Sequence, residues 1–232
     1  REELQLKEAA EKLDFDKPLT FIYNDKDKRI TKKFYFSNSN YNIKLELEVQ
    51  NLSASELNIN LPLVLGVLNF SGDQNEARFQ DVTIATKDKT LHLNARKDVT
   101  AENVQFMALR NRYFCAIIEP ELDNYTGFIK KINSQESEIG LWRGDLQLNP
   151  NQKIQQKFNI YLGPQELKLI SSVKPEWTAV IYYGTFDFIA KLLAKLLTAL
   201  YGIVHNWGWA IVLFSIVIYI ILYPLTLKQM RS

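Results

Sequence analysis

Tyr41-Asn42-Ile43-Lys44-Leu45-Glu46-Leu47-Glu48-Val49-Gln50 is the stretch that decides the fold. Apolar side chains occupy every second position in it and alternate with Asn, Lys, Glu and Gln. This period of two predicts a β-strand with one apolar face and one hydrated face. Such a strand is typical of an antiparallel sheet that packs on one side only.

Segments of the same kind flank this strand, separated by turns rich in Gly, Asn, Asp and Ser. We predict strands over Leu19–Tyr23, Lys33–Phe36, Leu57–Phe70, Arg78–Thr86, Thr90–Asn94, Val104–Leu109, Tyr113–Ile118, Thr126–Ile132, Ile139–Leu148 and Gln156–Leu162. Residues 1–13 have a helical composition, which is typical either of a short helix or of a frayed leader. Many short strands with almost no helical period between them indicate a mainly β protein, a β-sandwich.

The charged residues are nearly balanced, with 28 Lys and Arg against 26 Asp and Glu, and they are dispersed along the chain. This gives no basis for a nucleic-acid-binding surface. Cys115 is the only cysteine, and its apolar surroundings predict a buried, inert thiol. His92 and His205 are far apart in sequence, so we predict no metal site, no cofactor and no catalytic residue.

A stretch without Asp, Glu, Lys or Arg runs from Leu196 to Leu227. As a helix, Trp207–Leu225 would be about 28 Å long, close to the hydrocarbon core of a bilayer at roughly 30 Å. Trp207 and Trp209 mark one end and Tyr223 the other, as interfacial aromatic residues do. The stretch therefore predicts a transmembrane helix and not a buried helix of a soluble core.

The residues before this span have the pattern of an amphipathic helix. Its apolar residues recur at helical spacing, with charged residues between them: Phe186, Ile189, Leu192, Leu193, Leu196, Leu197 and Leu200, and Asp187, Lys191 and Lys195. Such a helix could pack on the sandwich. The adjoining span favours the membrane interface instead, with Lys191, Lys195, Trp207 and Trp209 as anchors.

These patterns divide the chain into a β-domain over 1–164, a helical linker over 165–204, a transmembrane helix over 205–227 and a cytoplasmic start over 228–232. Lys228 and Arg231 follow the span directly. The positive-inside bias therefore places the C-terminus in the cytoplasm and the β-domain outside. Because an exported domain needs a targeting segment, we expect a signal-anchor upstream.

A polar stripe runs along the predicted span. Ser215, Tyr219, Tyr223 and Thr226 lie at i, i+4, i+8 and i+11 and share one helix face. Polar groups that face lipid are energetically unfavourable. In one interpretation, this face therefore points toward other protein segments or toward a hydrated groove. The other places Tyr223 and Thr226 at headgroup level and lets Ser215 bond its own backbone. Both interpretations stay open.

Two motifs bracket the span: His205-Asn206-Trp207-Gly208-Trp209 at its start and Tyr223-Pro224-Leu225-Thr226-Leu227-Lys228 at its end. Together they resemble the first core span of the YidC branch of the YidC/Oxa/Alb insertase family, which begins at Asn-Trp-Gly and ends at Tyr/Phe-Pro-Leu-Thr. Residues 30–36, 110–114 and 161–164 resemble segments of the family's periplasmic domain. The resemblance extends over nearly the whole chain from about Leu19.

The resemblance implies a periplasmic β-supersandwich, an amphipathic helix at the membrane surface and one transmembrane helix in a bacterial inner membrane. It implies insertion and folding of nascent membrane proteins, alone or beside the Sec translocon, with the lipid bilayer as surroundings. Family members use a polar groove within the membrane. Such a groove shortens the hydrocarbon barrier that a client's polar flank must cross.

The chain departs from the family pattern in three ways. Alignment on Tyr-Pro-Leu-Thr puts Tyr219 where much of the family has a groove Arg, so the groove would be polar without being positive. The sequence ends at Ser232, before the cytoplasmic hairpin and the remaining spans. It also begins after strands that precede Leu19 in the family. We therefore expect a fragment that does not insert proteins by itself.

Two other classes of function stay open. Supersandwich folds also occur in aldose-epimerase-like proteins, so the chain could be an exported carbohydrate-binding or sugar-active domain with a membrane anchor. That chemistry needs a His paired with Asp or Glu, and only His92 lies in the β-domain. If the chain were only an anchored structural protein, the helix face that carries Tyr219 would have no functional role. Of these classes, we predict an insertase and not an enzyme.

Overall fold

A computed structural model describes residues 17–38, 40–70, 79–144, 146–182 and 187–230. The chain divides into two compact units, Arg1–Ile181 and Tyr182–Ser232. Each unit is described by itself below. The helix or leader expected over residues 1–13 lies outside the described ranges, and so do the side chains of residues 225–230.

The first unit is mainly β, as the strand pattern predicts. Its described strands are β1 (Leu19–Asn24), β2 (Lys28–Phe36), β3 (Asn42–Asn51), β4 (Leu57–Ile59), β5 (Leu63–Asn69), β6 (Asp81–Thr86), β7 (Thr90–Leu93), β8 (Val99–Ala101), β9 (Val104–Arg110), β10 (Phe114–Pro120), β11 (Tyr125–Lys131), β12 (Glu136–Arg143), β13 (Leu146–Leu148) and β14 (Lys153–Pro164). Helix α1 (Leu167–Val173) and a 3₁₀-helix (Pro175–Val180) follow them. We call residues 167–180 the helical strap.

The strands form three antiparallel sheets. The large sheet has eight strands in the order β1-β2-β3-β14-β10-β9-β6-β7. A four-stranded sheet has the order β5-β12-β11-β8, and β13 pairs with β4. The fold class predicted from the sequence, a mainly β antiparallel sandwich followed by helices, is confirmed.

The main core shows why the deciding strand has a period of two. Leu45, Leu47 and Val49 of β3 are buried in it, each directly opposite a residue of β14. Their neighbours Glu46 and Glu48 point to the other face, where they form ion pairs with Lys157 and Lys153 at 3.5 and 3.2 Å. Burial of one face therefore fixes the register of this strand.

Two predicted strands are each split in the structure. The strand predicted over Leu57–Phe70 becomes β4 and β5, because Pro62 cannot donate a backbone hydrogen bond and the chain changes partner there. The strand predicted over Ile139–Leu148 becomes β12 and β13, which pair in different sheets. A run of apolar residues does not show which partner each segment takes.

The second unit is a helical hairpin of α2 (Asp187–Val204) and α3 (Trp207–Met230), which pack against each other. Both agree with the predicted amphipathic helix and membrane span. α3 continues past Pro224, which lies inside the helix. Its Trp207–Pro224 segment has a mean hydropathy of 2.0 and is only 6% buried. It is the one helix in the described part of the chain that is long and apolar enough to cross a membrane.

Candidate functional site

The turn between α2 and α3 explains the Asn-Trp-Gly motif. His205 closes α2 with a left-handed backbone, φ 52°, and its N–H donates to the Tyr201 carbonyl at 2.7 Å. Asn206 Oδ1 accepts from the N–H groups of Gly208 at 2.9 Å and Trp209 at 3.3 Å. Asn206 is therefore the N-cap of α3. A Cβ on Gly208 would lie 3.2 Å from that capping oxygen, which favours glycine there.

Aromatic stacking fixes the same turn from the other side. The rings of Tyr201 and Trp207 are nearly parallel, with centroids 4.1 Å apart. The Trp207 and Trp209 side chains are 52% and 65% exposed, so a large part of each can contact lipid or water around the helices. Of the predicted anchors, Trp207 and Trp209 thus lie at the turn, whereas Lys191 and Lys195 lie further back along α2.

The exposed surface of α2 carries both apolar and cationic residues. Its half-buried side chains, among them Leu193 and Leu197, lie on one helix face. Phe188 and Ile203 are 78% and 74% exposed on another face, and Leu192 is also exposed there. Lys191 and Lys195 lie beside this apolar sector, at adjoining positions of the helical wheel. Exposed apolar residues next to lysines are typical of a helix in a membrane interface.

The polar stripe of α3 lies away from its half-buried face. Leu213, Phe214, Val217 and Ile218 are half-buried, whereas Ser215, Tyr219 and Tyr223 project from the opposite side of the helix. Tyr219 is 67% exposed, and its ring lies 6.0 Å from that of Tyr223. The Ser215 hydroxyl donates to the Ile211 carbonyl at 3.0 Å. The side chains of Leu225 and Thr226 are outside the described set.

A second apolar cluster attaches the helical strap to the large sheet. It consists of Ala85, Phe106, Ala108, Cys115, Ile117, Tyr161, Ile170, Trp177, Val180 and Ile181. Trp177 is fully buried, and its Nε1–H donates to Glu119 of β10 at 2.6 Å. The Lys174 ammonium pairs with the same carboxylate. The strap is the last segment of the first unit, Arg1–Ile181, so these contacts hold the end of that unit on the large sheet.

The Tyr-Leu-Gly-Pro segment has a packing role in this cluster. The Tyr161 hydroxyl donates to the Pro164 carbonyl at 2.8 Å. Tyr41 packs edge-on to Tyr161, with ring centroids 6.0 Å apart, and covers Gly163. A Cβ on Gly163 would come within 2.6 Å of Tyr41 Cγ, so a close approach of the ring requires glycine. The motif therefore closes β14 and packs its end.

His92 and an open cleft both lie at the β6–β7 hairpin in the described part of the β-domain. His92 Nδ1 lies 3.1 Å from Thr83 Oγ1 on the β6–β7 hairpin. An open cleft of about 550 Å³ lies near that hairpin, and the described residues that line it include no aromatic ring. Within the described ranges, no group of three His, Cys, Asp or Glu side chains is close enough to hold a metal ion.

The chain matches the family described as the YidC periplasmic domain over residues 3–196. The membrane protein insertase YidC of Syntrophobacter fumaroxidans is 29% identical over 214 residues, which cover 88% of this chain and 39% of that protein. The membrane protein insertase YidC of Helicobacter pylori strain 26695 is 34% identical over 169 residues, 69% of this chain and 29% of that protein. The chain thus spans well under half the length of these curated relatives.

A solved structure shares the β-sandwich. The GH36 α-galactosidase AgaB of Geobacillus stearothermophilus matches with a TM-score of 0.51 at 10% identity, over 66% of this chain and 24% of that protein. At this identity the likeness concerns the fold alone.

Proposed function

Because this chain belongs to the YidC periplasmic domain family, we propose that it is the extracytoplasmic β-domain and first following span of a membrane protein insertase. The observation that carries the proposal is the family match over residues 3–196, followed directly by an apolar helix. The whole protein would insert and fold inner-membrane proteins, alone or with the Sec translocon. We propose no enzymatic reaction for it.

In this proposal, α3 crosses the inner membrane and α2 lies at its outer surface. The low burial of α3 supports this, because the core helix of a soluble protein would be mostly covered. The exposed apolar sector of α2 supports an interfacial position, with Lys191 and Lys195 reaching toward the headgroups. Lys228 and Arg231 support a cytoplasmic C-terminus.

Labelling of single cysteines tests this orientation. Burial raises the pKa of the Cys115 thiol to about 12, so the reactive thiolate is scarce at neutral pH. The native cysteine should therefore not react with the maleimide. In intact spheroplasts, a membrane-impermeant maleimide should label Lys97→Cys on the exposed surface of the β-domain. It should label Ser232→Cys only after the membrane is permeabilised. Labelling of Ser232→Cys in intact spheroplasts would contradict the proposed topology.

The polar stripe of α3 is proposed to line a groove for clients. Its exposure on the side away from the half-buried face supports this role, because that face is available to other spans of the whole protein. Ser215, Tyr219 and Tyr223, with Thr226 continuing the stripe in sequence, would keep the groove polar without a fixed positive charge. A polar surface inside the membrane lowers the free energy needed to move a client's polar flank into the hydrocarbon region.

Replacement of Tyr219 tests the groove. In the full-length protein, Tyr219→Leu should lower rescue of a YidC-depleted strain by roughly tenfold, because an apolar side chain would replace a polar one in the groove. The neighbouring Ile220 is similarly exposed at 64%, so Ile220→Leu is the matched control and should rescue fully. Tyr219→Arg should also rescue, because it keeps the groove polar. Equal rescue by Tyr219→Leu and Ile220→Leu, at equal protein levels, would contradict a role for this face.

A further inference from the structure

The corner between α2 and α3 consists of two residues, His205 and Asn206. His205 has a left-handed backbone, φ 52°, and directly follows the last residue of α2. Asn206 caps α3 with its side chain, and its carbonyl accepts from the Ala210 N–H at 2.9 Å. Loops this short between two helices adopt only a few conformations, so the backbone itself restricts the angle between α2 and α3.

Aromatic rings join the two helices across this corner. Tyr201 lies in the last turn of α2, and its ring stacks on the Trp207 ring at the start of α3 with 13° between the ring planes. The His205 ring lies 6.4 Å from the same Tyr201 ring. A change in the angle between α2 and α3 would separate the stacked rings and lose their attraction.

Close packing at Ala210 adds a second contact at the corner. Ala210 lies in the first turn of α3 and is fully buried, whereas the other side chains described in α2 and α3 are half-buried or exposed. α3 packs against α2, and a small side chain lets two helices approach closely. A larger side chain at position 210 would therefore push the two helices apart.

The corner also determines where the polar stripe of α3 points. Ala210 begins the half-buried face of this helix, which continues with Leu213, Phe214, Val217 and Ile218. At 3.6 residues per turn, Tyr219 lies about 180° around the helix from Ala210. A corner that holds Ala210 against α2 therefore directs Tyr219 away from α2.

We propose that Tyr201, Trp207 and Ala210 are positioning residues, which fix the rotation of α3 about its own axis so that the polar stripe faces the groove. The inference rests on the proposed function, because the direction of the stripe matters only if the stripe lines a groove for clients. The rotation of a membrane span is set by packing against neighbouring helices and by interfacial anchors. α2 supplies both, since it packs against α3 and carries Lys191 and Lys195.

A distance measurement tests whether the stack holds the corner. Nitroxide labels at Thr198→Cys in α2 and Ile220→Cys in α3 replace exposed side chains of the full chain in lipid nanodiscs. Double electron–electron resonance should give one narrow distance distribution. Tyr201→Ala should raise the population outside that peak roughly two- to tenfold, as loss of a stacked aromatic pair predicts. Tyr201→Phe keeps the ring and should leave the peak unchanged.

The small side chain at position 210 gives a second measurement. Ala210→Leu should shift the distance distribution, because the larger side chain overpacks the contact between the helices. Ala199→Leu makes the same change at an exposed position of α2 and should leave the distribution unchanged. An unaltered distribution in Tyr201→Ala would overturn the inference, and so would equal effects of Ala210→Leu and Ala199→Leu.

Rescue of a YidC-depleted strain tests the consequence for insertion. In the full-length protein at equal protein levels, Tyr201→Ala should lower rescue and Tyr201→Phe should rescue fully, because a smaller fraction of the Ala variant presents its stripe to the groove. A nitroxide at Ser215→Cys should also become less accessible to a water-soluble nickel relaxation agent in the Ala variant. Full rescue by Tyr201→Ala despite a broadened distance distribution would overturn the positioning role. The groove itself is judged by Tyr219→Leu, which leaves the corner intact, so failures of the two proposals are distinguishable.

Discussion

Gly163→Ala is expected to lower the free energy of unfolding of the β-domain by about 1–3 kcal/mol, the usual range for overpacking a filled site. The new Cβ would lie 2.6 Å from Tyr41 Cγ, 2.7 Å from Tyr41 Cβ and 3.0 Å from Tyr161 Cζ. Tyr161 is fully buried and cannot yield. The Tyr41 atoms nearest to the new Cβ are next to the Tyr41 backbone, so a change of side-chain rotamer cannot remove the clash. The end of β14 must therefore shift. Urea denaturation monitored by near-ultraviolet circular dichroism measures the change.

Gly144 provides the matched control for this substitution. Apart from Gly144 itself and its two chain neighbours, no described heavy atom lies within 4 Å of the position that a Cβ would occupy there. Gly144→Ala should therefore change the free energy of unfolding by no more than about 0.5 kcal/mol, as at most surface positions. Equal effects of the two substitutions would show that the contact between Tyr41 and Gly163 does not determine the packing of β14.

Glu119→Ala is expected to destabilise the attachment of the helical strap by about 2–3 kcal/mol. The main cost is the Trp177 Nε1–H, which would be left buried without its acceptor. Loss of the ion pair with Lys174 should add little, because the Lys174 side chain is 40% exposed. Amide exchange should quicken across residues 167–180, with Trp177 fluorescence shifting to longer wavelength.

Glu121 lies two residues along the same chain segment and is exposed, so Glu121→Ala is the control. It removes the same charge and should leave exchange in the strap unchanged. If Glu119→Ala also left strap exchange at its original rate, the Glu119 carboxylate would not be what holds the strap to β10.

The sequence pattern predicted strands well where burial is decided locally. β3 is the clearest case, because one buried face imposes a period of two on its residues. β2 begins at Lys28, earlier than predicted, since pairing with β1 and β3 orders a charged segment that has no apolar period. β8 was not predicted, because Val99–Ala101 is too short to show a period.

The site was only partly predictable for a related reason. The Asn-Trp-Gly motif was recognised by resemblance, and an Asn directly before an apolar helix is also a sequence signal for the N-cap found at Asn206. The contact of Glu119 with Trp177 joins residues 58 positions apart and leaves no local pattern. The role of the Ser215, Tyr219 and Tyr223 face stays a prediction that the complementation experiment addresses.

The position of β14 has a consequence for the order of events during export. β14 is the last strand along the chain, yet it lies between β3 and β10 in the large sheet. The two halves of that sheet, β1-β2-β3 and β10-β9-β6-β7, therefore cannot join until residue 164 has emerged. During vectorial synthesis the large sheet therefore stays incomplete until β14 has been made, and α3 follows β14 along the chain. Until then, the strands already made depend on protection from premature association with other chains.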